Sequence, residues 1–306
     1  MQDASILFRG FSAFPITPAD PHGHVDTDAL LRLVDRLTAA RVDSVGLLGS
    51  TGTYAYLTRA ERRRAIEAAA EALRGQTGLI VGIGALRTDD AQDLARDAKA
   101  AGADGLLLAP VSYTPLTEAE VFAHFRAVAE TTDLPLCIYN NPGTTHFTFS
   151  DALLARLASI GNIVAVKNPA PPAREAAARQ SALRALVPAD FALGYSVDWH
   201  APTSVLAGGD AWYSVIGGLL PVPALRLMRA AQAGDAATVK RWDALLQPLW
   251  VLFRELSSLR VVYAGARLLG LCHHAPPRPI LPLDRADDRR IAVTLDALGT
   301  AAAPLA

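Results

Sequence analysis

Eight short apolar runs punctuate the first three-quarters of the chain: Arg9–Ile16, Ser44–Leu48, Leu79–Ile83, Gly105–Ala109, Leu136–Tyr139, Ile163–Lys167, Phe191–Tyr195 and Trp212–Val215. Several are continuously apolar rather than alternating, the pattern of parallel strands covered by helices on their faces. Between them lie Ala-, Arg- and Leu-rich stretches that predict helices near 26–40, 58–74, 89–101, 117–131, 150–159, 172–186, 198–207 and 222–233. Thr58 with Glu61, and Thr117 with Glu120, have the spacing of capping boxes. Gly102 and Gly161 stand where glycines follow helix ends. Eight strand–helix units in succession predict a (β/α)8 TIM barrel over residues 1–233. A doubly wound sheet wants a glycine-rich phosphate turn after its first strand, whereas this chain has Phe14-Pro15-Ile16-Thr17-Pro18. Past residue 233 the strand pattern stops. Asp235–Glu255, Ser258–Leu269 and Asp284–Leu298 read as helices, giving a C-terminal helical appendage over 234–306. Its apolar stripe Leu245, Leu249, Leu252, Phe253 and Leu256 is expected to pack on the barrel, with a neighbouring subunit as the other candidate surface.

Composition narrows the class. With 306 residues, 51% hydrophobic, the chain has ample material for a core and does not read as disordered. A net charge of -1, with both signs interspersed, offers no field for nucleic acid or a membrane surface. Arg62, Arg63 and Arg64 form the densest basic run and read as a solvated helix face. Cys137 and Cys272 are too few and too poorly spaced for a disulfide framework, which suits a reducing compartment. The N-terminal segment does not read as an export signal, and uncharged Ala211–Leu225 is broken by glycines and prolines, so a cytoplasmic protein is expected.

Only three of the 29 basic residues are lysines, and position separates them. Lys99 falls late in a predicted helix, where a cation complements the dipole. Lys240 falls on an appendage helix. Lys167 closes the apolar run Ile163-Val-Ala-Val-Lys, at the strand end where such a barrel carries its active site. Burial there favours the neutral amine, the form that attacks a ketone to make a Schiff base. Tyr139, in Tyr139-Asn140-Asn141-Pro142, closes the neighbouring strand within reach of such an imine and can carry protons. The turn Gly49-Ser50-Thr51-Gly52 offers backbone amides and hydroxyls to an anion such as a carboxylate. His22, His24, His273 and His274 lie in loops without acids at ligand spacing, so no metal site is expected.

Taken in order, the G-[ST]-T-G turn, Y-N-x-P and a strand ending in lysine resemble the dihydrodipicolinate synthase/N-acetylneuraminate lyase family. The resemblance runs along the whole chain, including Thr17-Pro18 and the helical tail. It implies a (β/α)8 barrel that condenses, cleaves or dehydrates small-molecule 2-keto acids through a lysine imine, as a homotetramer or dimer, without metal or organic cofactor. It implies that Lys167 is the nucleophile and Tyr139 the proton donor and acceptor. Ser50 would link that tyrosine to a proton relay, and Thr51 would bind the keto-acid carboxylate. Tyr213 would line the keto-acid site through its backbone.

Three departures leave the second substrate open. Synthases of the family carry an arginine two residues after the proline of Y-N-x-P to clamp that substrate's carboxylate; here the position is Thr144. The relay tyrosine that synthases lend to a neighbouring subunit aligns with Ser112, with Tyr113 one position along as its substitute. Thr53 stands where glutamate is usual. The sequence therefore predicts a 2-keto acid aldolase or dehydratase, with a sugar-acid derivative as a candidate substrate and Thr144, Asp198 and His200 as candidate hydroxyl contacts. Authentic dihydrodipicolinate synthesis is the second reading, and a catalytically retired barrel serving binding or assembly is the third.

Overall fold

The structure is a computed structural model that describes residues 5–302. The first residues of the segment judged not to be an export signal, 1–4, and the end of the appendage, 303–306, lie outside the described residues. Eight strands, β1 (Gly10–Ala13), β2 (Ser44–Leu47), β3 (Gly78–Gly82), β4 (Gly105–Leu108), β5 (Leu136–Tyr139), β6 (Ile163–Pro169), β7 (Ala192–Ser196) and β8 (Ala211–Ser214), close into a parallel barrel in sequence order. The layer of helices around it comprises α1 (Thr27–Ala40), α2 (Arg59–Leu73), α3 (Thr88–Ala100), α4 (Glu118–Ala129), the single turn α5 (Pro142–Thr145), α6 (Asp151–Ala158), α7 (Ala173–Arg184), α8 (Ala201–Leu206) and α9 (Pro221–Gln232). The tail forms α10 (Ala236–Leu256), α11 (Ser258–Leu268) and α12 (Arg285–Ala302). Leu249, Leu252 and Phe253 of the predicted stripe are buried within this one chain, with Trp242, Leu246 and Trp250 beside them. No helix among the described residues is long and apolar enough to cross a membrane.

Local signals work where their partners are local. Thr117 and Glu120 make the full reciprocal box at the start of α4. At α2 only half forms: Thr58 accepts from the Glu61 amide, but the Glu61 carboxylate is drawn away to the backbone N–H of Val25, 2.7 Å off. Gly102 has φ +96° just past α3, whereas α6 ends at Ala158 with Ser159 as its cap residue, so Gly161 stands beyond the cap. The three-arginine run also divides. Helical periodicity places Arg62 on the buried face of α2 with Ala65, Ile66 and Ala69. There its guanidinium lies 5.0 Å from the Tyr54 ring centre and donates to Gly84 O at 3.0 Å. Arg63 and Arg64 stay outside and pair with Glu67 and Glu61.

The inside of the barrel determines where chemistry can occur. Residues two apart on a strand share a face, so Cys137 and Tyr139 point inward from β5, and Ala165 and Lys167 from β6. Small inward residues (Ala165, Ala192, Ala211) leave room for Phe14, Tyr139 and Tyr213 in the same interior cluster. Two glycines are needed for this packing. A Cβ at Gly46 would stand 2.1 Å from the Phe14 ring, and one at Gly194 2.2 Å from the Tyr213 ring.

Candidate active site

The register of β5 against β6 pairs Tyr139 with Lys167, so two residues distant in sequence emerge side by side at the top of the barrel. Lys167 is buried, and its Nζ lies 4.0 Å from the centre of the Phe14 ring, 4.2 Å from that of Tyr139 and 5.9 Å from that of Tyr213. Phe14 and Tyr213 meet edge to face beneath it. No ion pair reaches Lys167 among the described residues. Its amine packs against ring faces instead. The Tyr139 hydroxyl lies 3.3 Å from Ser50 Oγ and accepts from Asn141 Nδ2 at 3.0 Å.

Above this floor opens a cavity of about 520 Å³, within the range of about 300–1,000 Å³ typical of small-molecule sites. Ser50, Thr51, Tyr139, Thr144 and Lys167 all line it. Among the described lining residues, formal charge is carried only by Lys167 and Asp198. The backbone around the cavity is strained: Thr53, Val197 and Ser257 line it with φ of +52°, +66° and +74°, and Leu48 at +56° precedes the Gly49–Gly52 turn. Left-handed backbone is costly for a β-branched residue such as Val197 and collects at functional sites.

Other expected positions differ. Tyr213, expected to contribute through its backbone, turns its side chain away from the cavity. It points inward below the lysine, donating from its hydroxyl to Phe8 O at 3.1 Å, and burial pushes that hydroxyl well above the ordinary tyrosine range. Val215, two residues later, reaches the cavity instead. Ser112 and Tyr113 also lie off it; Tyr113 is 96% exposed. Asp198 is at the wall, with its carboxylate already engaged by the protein's own donors. Its carboxylate accepts from Trp212 Nε1 (2.8 Å), Ile216 N (2.7 Å) and Val215 N (3.3 Å). Desolvation nevertheless raises its pKa, outweighing those donors. His200 starts α8 away from the cavity, its ring beside Trp199, with burial holding its pKa down.

The loop histidines do find acids: His24 Nδ1 lies 3.0 Å from Asp20 and His274 Nε2 2.8 Å from Asp26. Among the described residues no group of three His, Cys, Asp or Glu is placed to hold a metal ion. Lys99 pairs with Asp133 at the surface, and Lys240 is exposed.

Sequence reasoning missed two contributions. Asn141 occupies the variable place of Y-N-x-P and touches the catalytic-candidate tyrosine directly. The tail supplies Phe253, Ser257, Ser258, Leu259 and Ile280 to the outer wall. Tyr263 of α11 also reaches in, 3.4 Å from both Thr53 Oγ1 and Thr17 O.

The family model described as "Dihydrodipicolinate synthetase family" matches residues 7–298. The chain belongs to that family. It is 32% identical to a 4-hydroxy-tetrahydrodipicolinate synthase of Phenylobacterium zucineum, over 92% of this chain and 94% of the relative. Identity to one of Laribacter hongkongensis is 35%, over 89% and 91%. Among solved structures, a dihydrodipicolinate synthase from Agrobacterium tumefaciens superposes with a TM-score of 0.95 at 62% identity, covering 97% of this chain and all of the other. A prophage protein of the dihydrodipicolinic acid synthase family from E. coli K12, solved in complex with pyruvate, superposes at 0.88 with 25% identity, covering 96% and 99%. As a dihydrodipicolinate synthetase family member the chain is a Schiff-base lyase of the class I aldolase type, acting on a small molecule.

Proposed function

We propose that Lys167 forms the imine with pyruvate or another 2-keto acid, that Tyr139 moves the protons, and that the second reactant is an aldehyde without a carboxylate of its own. The observation that carries this reading is the division of charge in the cavity. One cation, Lys167, stands on the floor beside Tyr139, and Thr144 stands on the wall where a synthase would place its guanidinium. Ser50 and Thr51 line the same cavity, and the hydroxyls and amides of the turn after β2 suit a keto-acid carboxylate. The amine adds to C2 of the keto acid, and the carbinolamine so formed breaks its C2–O bond and releases that oxygen as water, leaving the iminium. Loss of a C3 proton from the resulting iminium then gives the enamine that attacks an aldehyde; run in reverse, the same steps cleave a hydroxylated keto acid, and elimination dehydrates one. A bidentate guanidinium gives a carboxylate two charge-assisted hydrogen bonds, which a threonine hydroxyl does not replace. The outer wall, with Thr144, Thr145, Ser257 and Ser258 among apolar residues, suits hydroxyls instead.

The second reading, authentic 4-hydroxy-tetrahydrodipicolinate synthesis, is favoured by the names of the relatives just given. Turnover with pyruvate and aspartate semialdehyde separates the two. The first reading predicts rates far below those with neutral hydroxyaldehydes; robust turnover of aspartate semialdehyde would transfer the assignment to the synthase.

Tyr113, exposed at the rim, is offered to a second copy of the chain, and we assign a dimeric or tetrameric assembly on that basis. Cys137 and Cys272 are both free and buried, in keeping with a reducing cytoplasm. The appendage past residue 233 acts together with the barrel, since α10 and α11 contribute Phe253, Ser258 and Leu259 to the cavity that the barrel begins.

A further inference from the structure

Two polar side chains of this chain meet the Tyr139 hydroxyl, and they differ in what they can do. Ser50 Oγ, 3.3 Å away, gives or takes a hydrogen bond. The Asn141 amide nitrogen, 3.0 Å away, can only give one. Asn141 is firmly held: its backbone carbonyl accepts from the N–H groups of Thr144 and Thr145 and from Thr145 Oγ1, each at 3.0 Å. Its carboxamide oxygen lies on the Gly143 side, leaving the nitrogen aimed at the tyrosine. The other titratable groups facing Tyr139 are Lys167, with Nζ 4.2 Å from the ring centre, and Tyr54. Neither is within hydrogen-bonding distance of its oxygen among the contacts described, so Ser50 and Asn141 set the state of that atom.

We propose that Asn141 is the positioning residue for proton transfer by Tyr139. Its N–H occupies one lone pair of the phenol oxygen, turns the O–H toward Ser50 or the substrate, and stabilises the phenolate that remains when the proton has gone. The inference rests on the reading of Lys167 and Tyr139 given above. In the step concerned, a C3–H bond of the lysine-bound pyruvate iminium breaks. Its electron pair becomes the C2=C3 bond of the enamine, the C=N π pair moves onto nitrogen, and the proton passes to the phenolate oxygen. The Asn141 hydrogen bond is present before and after, so losing it penalises the ionised tyrosine more than the neutral one.

Exchange of the pyruvate methyl protons with D2O, followed by NMR, isolates this step with pyruvate alone and the full chain. Asn141→Leu, close in shape but without a donor, is expected to slow exchange about tenfold or more at neutral pH, the worth of a hydrogen bond to a charged oxygen. The rising limb of the pH–rate profile should move to higher pH, while borohydride trapping of pyruvate on Lys167 remains. Asn141→Asp puts an acceptor and a negative charge at the same place and should move the limb further in the same direction. Asn141→Gln, which retains an N–H donor, should bring it back toward wild type. Wild-type profiles for both Asn141→Leu and Asn141→Asp would overturn the proposal. So would loss of trapping in step with exchange, which would mean that Asn141 merely supports α5. If the unaltered protein neither traps pyruvate nor exchanges its protons, the reading of Lys167 falls first and this inference falls with it.

Discussion

The two ends of the barrel handle charge in opposite ways. At the end where the strands begin, acids tie neighbouring strands together. Asp43 accepts from Phe11 N and from Arg229, Asp104 from Leu79 N, and Asp210 from Leu193 N and the guanidinium groups of Arg9 and Arg184. Charge there is matched by charge or by a backbone donor. At the end where the strands finish, Lys167 is buried against ring faces and Asp198 against indole and backbone donors, with no ion pair to either among the described residues. Among the described residues Asn140 Oδ1 and Asn168 Nδ2 are buried there without partners, as Ser44 Oγ is at the other end, and the left-handed residues Thr53 and Val197 line the cavity itself. One rim is built for stability; the other gives stability up to keep reactive groups in place, the division of labour expected of this architecture.

The sharpest way to break this comparison is Lys167→Met. It should reduce turnover to background while the melting temperature stays level or rises, because a buried polar amine with no ion pair among the described residues is replaced by an apolar side chain of similar length. A large loss of stability in thermal denaturation would mean that the lysine helps to hold the barrel together. Tyr139→Phe comes next: kcat should fall by about 10²- to 10⁴-fold, the usual worth of a positioned acid or base, with pyruvate still trapped by borohydride. Asp210→Ala tests the opposite rim. Its network is only partly buried, so the expected cost is about 1–3 kcal/mol in urea denaturation, with kcat per folded molecule unchanged.

The smallest effect is one of pH. Because burial raises the folded-state pKa of Asp198, the native protein binds that proton more tightly than the unfolded chain does. Its contribution to stability is therefore fully present below the ordinary carboxylate value and is lost as pH rises through the raised one. In Asp198→Asn this dependence disappears. The stability of wild type minus variant, measured by urea midpoints at a series of pH values, should fall with increasing pH across that window. A flat difference would remove Asp198 from the account.

The same comparison shows why one part of the site could be read from the sequence and another could not. Lys167 was legible because a cation at the end of an apolar run is costly, and Tyr139 because β5 and β6 are consecutive strands whose ends must lie together. The Gly49–Gly52 turn was legible from its position after β2. Phe253, Ser257 and Ile280 were not, because their approach depends on how α10 and α11 fold back across the barrel mouth, which no local periodicity records. Glu61 was misread for the same reason, its carboxylate leaving a local cap for Val25 in another segment. Asn141 stood inside a motif that had been recognised, yet only the turn of α5 reveals where its amide points.

Borohydride reduction in the presence of pyruvate, followed by peptide mass spectrometry, tests the central claim most directly. The account predicts a reduced pyruvyl adduct on the peptide containing Lys167, absent from Lys167→Met and present in Tyr139→Phe. An adduct on Lys99 or Lys240 instead, or none with pyruvate or any of a panel of 2-keto acids, would contradict it.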